Sequence, residues 1–227
     1  MKTIALILAL VLVALSASAK DKFTDTFVVD KAEFTNIGSN RFFILTPGFQ
    51  AVLEGKEGRK HVVLTITVLN ETKTVDGVET RIVEEKETAD GQPVEISRNY
   101  FAFSKRTSDI YYFGEDVDMY KDGKVINHEG AWLSGVNGAR FGLMMPGTPL
   151  LGARHYQELA PKVAMDRAEI LGLDEKFDTP AGKFENCLKT EETSAVESAK
   201  EHKFYAPGIG LISDGTLKLT KYGFTKS

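Results

Sequence analysis

One cysteine, Cys187, stands in a chain of 227 residues, so no internal disulfide can form. Small secreted domains often rely on several such bridges. Here the apolar core must hold the fold by itself. Basic residues are not in excess either. Lysine and arginine total 28 against 32 aspartates and glutamates, the formal net charge is −4, and both signs are interspersed along the chain. That excludes the basic face expected of a nucleic-acid-binding surface. The four histidines, His61, His128, His155 and His202, show neither H-x-H nor H-E-x-x-H spacing, so the sequence offers no metal site. It also lacks the G-x-S-x-G nucleophile elbow. No catalytic residue, metal or cofactor is assigned.

Long apolar runs are scarce as well. Ile4–Leu15 is shorter than the ~20 residues a membrane helix needs. It follows Lys2 and precedes Ala17-Ser18-Ala19. The three pieces read as the n-region, h-region and A-x-A cleavage site of a secretory leader. Cleavage after Ala19 leaves 208 of the 227 residues, takes the formal net charge from −4 to −5 by removing Lys2, and leaves no apolar span behind. No cysteine follows the cleavage site to carry a lipid. A leader with so little cysteine behind it points to the periplasm or exterior of a bacterium. Residues 20–227 are enough to bury a core without staples. They are read as a single β-rich domain, with two meanders, 20–129 and 153–227, as the other division.

What the sequence does hold is alternation. In His61–Leu69 the residues Val62, Leu64, Ile66 and Val68 share one face. Val78–Glu87 places Arg81, Val83 and Glu85 together, and Val94–Ser104 follows as the third strand of a meander. Asp-Gly pairs at Asp76, Asp90, Asp122 and Asp214 mark tight hairpin turns. Thr26–Val29 and Arg41–Leu45 read as strands around a turn at 36–40. Segment 163–173 fits helix or strand, and strand is preferred because Gly172 ends it and its surroundings are β. The whole predicts an all-β, antiparallel meander curling into a barrel, half-barrel or sandwich.

One stretch breaks the rhythm. Residues 130–152 contain six of the 20 glycines, two of the seven prolines, the only tryptophan and a single charge, Arg140. The expectation is a long Gly/Pro-rich apolar crossover loop, either completing the core or forming a lid over an apolar cavity. Candidate ligand-binding residues are therefore Trp132, Phe141, Met144 and Met145 within it, with His128, Arg154, His155 and Glu158 at its flanks. The acidic group Glu115, Asp116, Asp118 and Asp122 reads as a solvated strand and turn, its spacing failing the EF-hand pattern. Cys187 reads as a structural thiol.

The second half resembles an uncharacterised family of secreted or periplasmic bacterial β-rich proteins. The resemblance rests on Gly123-Lys124-Val125-Ile126 with Gly130 and Trp132, on Met145-Pro146-Gly147 through Tyr156-Gln157-Glu158, on Thr179-Pro180-Ala181-Gly182-Lys183-Phe184, and on Tyr205-Ala206-Pro207-Gly208-Ile209-Gly210-Leu211. It covers about 115–212, implies an exported β fold, and transfers no catalytic residue. The expected function is that of a secreted, non-enzymatic β protein binding an apolar small molecule, a lipid or an envelope partner. The alternatives are an envelope hydrolase using His128, His155 and Glu158, and a purely structural or assembly protein. Oligomeric state stays open.

Overall fold

The computed structural model describes residues 22–196, 198 and 200–225. The expected leader, 1–19, lies outside them. A 3-10 turn at Lys31–Glu33 precedes the short strands β1 (Phe34–Thr35), β2 (Ser39–Asn40) and β3 (Phe43–Ile44). Five long strands follow: β4 (Phe49–Glu57), β5 (Lys60–Val75), β6 (Val78–Ala89), β7 (Gln92–Ser104) and β8 (Ile110–Lys121). Then come β9 (Lys124–Asn127), β10 (Trp132–Leu133), β11 (Arg140–Met145), β12 (Arg154–Tyr156) and β13 (Glu158–Leu159). The chain finishes with β14 (Asp166–Thr179), β15 (Gly182–Ser194), β16 (Lys200–Ala206), β17 (Gly210–Asp214) and β18 (Leu217–Phe224). The fold is all-β and antiparallel, as the alternation predicts. Among the described residues no helix is long and apolar enough to cross a membrane.

Hairpin chemistry sets the order. Both residues of the Asp76-Gly77, Asp90-Gly91 and Asp122-Gly123 turns have positive φ, the geometry of a two-residue turn matched to strand twist. Sequential pairing then gives β4-β5-β6-β7-β8-β11, and β14-β15-β16-β17-β18 on the other side. The two runs join where β18 pairs β4, Leu219 opposite Leu53. Read along its hydrogen bonds, the sheet starts at β12 and ends at β13. Those two strands are consecutive in the chain, with only Gln157 between them. β12 pairs β14 through His155 and Ala168, whereas β13 pairs β11 through Glu158 and Phe141. The sheet is thus a nearly closed barrel whose seam is one residue wide.

Closure demands close backbone approach at the seam. A Cβ on Gly142 would fall within 3.0 Å of the Gln157 carbonyl carbon and oxygen and of the Tyr156 carbonyl oxygen. Only glycine lets β11 come this near. From outside, the N-terminal segment straps the same place: Thr24 donates from its backbone N to the Arg154 carbonyl at 3.0 Å, and Tyr156 N donates back to the Thr24 carbonyl at 2.9 Å.

Side chains alternate across the barrel wall. Ile110 and Tyr112 point inward, into a core that includes Phe42, Leu45, Val68, Val83, Phe101, Trp132, Met145 and Ile170. Tyr111 and Phe113 point outward, where Phe34 covers them edge-on and Phe27, Val29, Leu133 and Phe141 complete a second apolar layer. A third cluster, from Leu53 and Leu64 to Cys187, Ile212 and Leu219, shares Ile66, Ile209 and Leu211 with the inner core. Cys187 is fully buried there.

Four sequence expectations change. Residues 130–152 are not a continuous loop, because β10 and β11 lie within them and pair with β8. Segment 163–173 is strand from Asp166 onward, but Gly172 does not end it. β14 runs on to Thr179, and Gly172 marks a register shift against β15. Thr26–Val29 is extended without pairing, since its apolar residues pack on the outer layer rather than joining a ladder. Arg41–Leu45 contributes only Phe43–Ile44 to a strand; Phe42 and Leu45 turn instead into the core.

Replacing Gly142 by valine should open the seam. We expect a loss on the order of 2–4 kcal/mol, since the clash is with backbone rather than a movable side chain. The urea midpoint of residues 20–227 reads it; an unchanged midpoint would mean that the seam does not carry the closure.

Candidate functional site

The inward face of the barrel is not uniformly apolar. Glu85 on β6, Glu95 on β7, Glu115 on β8, Glu192 on β15, Lys203 on β16 and Asp214 on β17 form a charged belt with Glu158 at the seam. Each sits where strand alternation turns it inward, Glu85 two residues after the core residue Val83 and Glu115 two before the core residue Val117. Six carboxyl groups face a single ammonium.

Glu192 is the hub. Its Oε1 accepts from Tyr205 Oη at 3.1 Å, Gln157 Nε2 at 3.2 Å and Thr190 Oγ1 at 3.2 Å. Its Oε2 meets Lys203 Nζ at 3.1 Å. Burial opposes ionisation of this carboxyl, but Lys203 and the hydrogen bonds prevail and hold it below the usual range. Lys203 also reaches Asp214 at 3.3 Å. Burial alone would neutralise the ammonium; Glu192 and Asp214 instead keep it charged, well above its ordinary value.

The remaining belt carboxyls have no such support. Burial, reinforced by Asp214, Glu95 and Glu192 against the pull of Lys203, pushes Glu85 up to about 7. Glu115 and Glu158 are raised together, first by burial and then by each other and by neighbouring carboxyls such as Glu85 and Asp166. The Tyr112 hydroxyl donates to Asn99 Oδ1 and lies against Glu115. The Trp132 indole N–H is buried and directed at Glu158 without a hydrogen bond of good geometry.

Beside Glu85 and Lys203 lies a partly open cavity of about 90 Å³. Phe49 and Ala51 of β4, Ile66 and Val68 of β5, and Val83 of β6 form its apolar wall on one side. Tyr205, Ile209, Gly210 and Leu211 form the opposite wall, and Glu85, Lys203 and Asp214 supply its polar patch. Phe43 and Ile44, from the β2–β3 hairpin, cover it. That hairpin is a separate two-stranded sheet tied across the barrel mouth. Asn40 Nδ2 donates to the Ser108 carbonyl at 3.1 Å, Gly208 N donates to the Arg41 carbonyl at 2.8 Å, and Phe43 packs edge-on against Phe101 at 5.1 Å.

The structure distributes the expected site residues unequally. Trp132 and Glu158 meet in the belt. Met144 touches both the cavity and Gln157, while Met145 is 1% exposed in the core. Phe141 packs outside, stacked on Phe113 at 4.9 Å. Arg154 also points outward, in an ion pair with Glu169 at 2.9 Å and over the Phe23 ring. His155 is 4% exposed, and burial, offset only in part by Glu192 and Asp109, pushes it down to about 4. His128 is on the outer surface, bonded to Val117 O at 2.7 Å and Asp118 at 3.1 Å. Asp116 likewise pairs outward, with Lys73 at 2.8 Å. Among the described residues no group of His, Cys, Asp and Glu has the geometry to hold a metal ion. Sequence reasoning missed Glu85, Glu192, Lys203 and Asp214. Of the residues singled out in the sequence, Met144 lines the cavity, as do Tyr205, Ile209, Gly210 and Leu211 from the stretch that carries the resemblance.

The belt makes stability depend on pH. Glu85, Glu115 and Glu158 keep protons in the folded chain that the unfolded chain releases near 4.5, so stability falls as pH rises from there through about 7 and beyond. His155, lowered to about 4, acts oppositely and removes stability as pH falls below 6.5. A melting temperature highest near pH 5 should drop by roughly 3–10 °C at pH 9. Glu158→Gln should flatten that alkaline slope; an equally steep slope would sink the assignment.

No family model and no curated protein matches this chain. In structure it is similar to a candidate lipoprotein from Parabacteroides distasonis ATCC 8503, at 15% identity and a TM-score of 0.39, over 82% of this chain and 100% of that one. It is also similar to a candidate exported protein with a YmcC-like fold from Bacteroides fragilis NCTC 9343, at 16% identity and a TM-score of 0.39, over 81% of this chain and 99% of that one.

Proposed function

We propose that the chain is an exported, non-enzymatic bacterial β protein that binds a small amphipathic molecule in the cavity beneath the β2–β3 hairpin. The leader pattern at 1–19 supports export to the periplasm or exterior. One observation carries the binding reading: an apolar chamber under a cap, with a few polar groups converging on one wall and one of them, Glu85, strongly perturbed. That combination is how small-ligand sites are generally built. The volume limits the ligand. At about 90 Å³ the chamber is smaller than the ~150 Å³ cavity that takes up benzene, so with the hairpin seated it holds only a short aliphatic group. The hydrolase reading loses support because its His128 faces outward, against Asp118, while its Glu158 is buried inside.

In this reading the site lies apart from most of 130–152. Trp132 and Met145 pack in the inner core, Leu133, Phe141 and Leu143 in the outer layer, Leu150 and Leu151 are exposed, and Met144 lines the cavity.

Amide NMR of the mature chain titrated with n-butanol tests the reading. Saturable shifts should appear in the hairpin at 39–44 and in the turn at 207–211. Ala51→Leu, which fills the chamber from β4, should weaken them at least tenfold while leaving the chain as stable or slightly more so. Absence of any saturable response, or an unchanged response in Ala51→Leu, would defeat it.

A further inference from the structure

The geometry points to a cationic ligand: a small ammonium on a short aliphatic chain, its charged end on Glu85 and its apolar end under Phe43 and Ile44. This rests on the cavity reading above and specifies the chemistry the cavity selects.

Glu85 lines the chamber, yet among the described residues it has no hydrogen-bond or ion-pair partner. Charges reach it only at longer range, from Lys203, Asp214, Glu95 and Glu192. A carboxyl enclosed by protein normally has a partner. Glu85 instead opens onto the cavity. Lys203 does not supply one: its ammonium is seated on Glu192 at 3.1 Å and Asp214 at 3.3 Å.

The charge balance sets the sign of the ligand. An anion reaching for Lys203 would displace one of two seated carboxylates and enter beside Glu85 and Glu95, adding repulsion in a poorly solvated space. A neutral alcohol would donate one hydrogen bond to Glu85 but bring no counter-charge. An ammonium gives the unpartnered carboxyl its counter-ion and hydrogen-bond donors at once, and such charge-assisted bonds are the strong ones. The opposite wall, Ile66 and Leu211 with the hairpin, buries the alkyl chain. Binding of an ammonium must also expel the proton that Glu85 holds below about 7, so affinity should grow as pH rises through that value.

The test compares n-butylammonium, n-butanol and butyrate on the mature chain by the same amide shifts, at pH 6 and pH 8. Butylammonium should bind at least tenfold more tightly than butanol at pH 8, with a smaller advantage at pH 6, and butyrate most weakly. Glu85→Gln removes a buried charge and should fold at least as well as the parent. It should abolish the butylammonium advantage over butanol and its pH dependence. Butanol binding equal to or tighter than butylammonium, preferred binding of butyrate, or an advantage that survives Glu85→Gln would overturn the cationic assignment and leave the cavity reading standing. Failure of all three probes to bind would overturn the cavity reading together with this one.

Discussion

Gln157 is where the barrel closes, and most of the interior depends on it. Its backbone N donates to the Asp166 carbonyl at 2.8 Å, which holds it to β14. Its carbonyl lies against Gly142, which brings β11 in from the other side. Its side chain then donates to Glu192 at 3.2 Å and reaches Met144 Sδ at 3.7 Å. One 3%-exposed residue therefore links the seam of the sheet to the hub of the charged belt. The two are physically coupled. A buried carboxylate is tolerable only when water is excluded and partners are fixed, and both conditions hold here because the sheet runs back onto itself.

The belt in turn explains why the interior is neither a dry core nor an open channel. Apolar clusters fill both sides of it, with Leu45 and Ile110 in one and Leu53 and Leu219 in another, all fully buried. Between them the carboxyls outnumber the ammonium, so the belt cannot neutralise itself by ion pairing. Glu192 is satisfied fourfold and ionised. Glu115 and Glu158 settle the excess by keeping protons, which like-charged neighbours in a poor solvent are bound to do. Such an arrangement costs stability relative to an apolar filling of the same shape, and the outer aromatic layer on β8 and β11 offsets part of that by burying the second face of those strands.

How much of this was legible in the sequence follows from what kind of information each feature needs. Strands and Asp-Gly turns are local. The run from Val62 to Val68 and the Asp90-Gly91 pair declare themselves within a few residues, and the antiparallel all-β class follows. Closure is not local. That β12 and β13 would pair with different neighbours on either side of Gln157 depends on where β14 and β11 arrive, and no pattern within Arg154–Leu159 carries it. The belt was hidden for another reason. Glu85 follows Glu84, and Glu192 follows Glu191, so each pair presents one carboxyl to solvent and one to the interior, and alternation by itself does not say which. In 130–152 composition left two readings open, completion of the core or a lid. Most of it is wall: Gly142 admits a neighbouring backbone, and Trp132 and Met145 are packed in the core.

The same logic places the cap at 39–44 instead. A segment can cover a cavity reversibly only if few fixed contacts hold it. β10 and β11 are hydrogen-bonded into the main sheet along β8, so moving them would unzip the wall. The β2–β3 hairpin shares no ladder with the barrel. It is anchored at its ends and edges by single bonds, such as Asn40 to Ser108 and Gly208 to Arg41, and by the side chains of Phe42, Phe43 and Leu45. Lifting it exposes apolar surface and leaves every barrel strand paired. In the binding reading, the element read from the sequence as ordinary strand is the cap, and the stretch read as core-completing crossover or lid is wall.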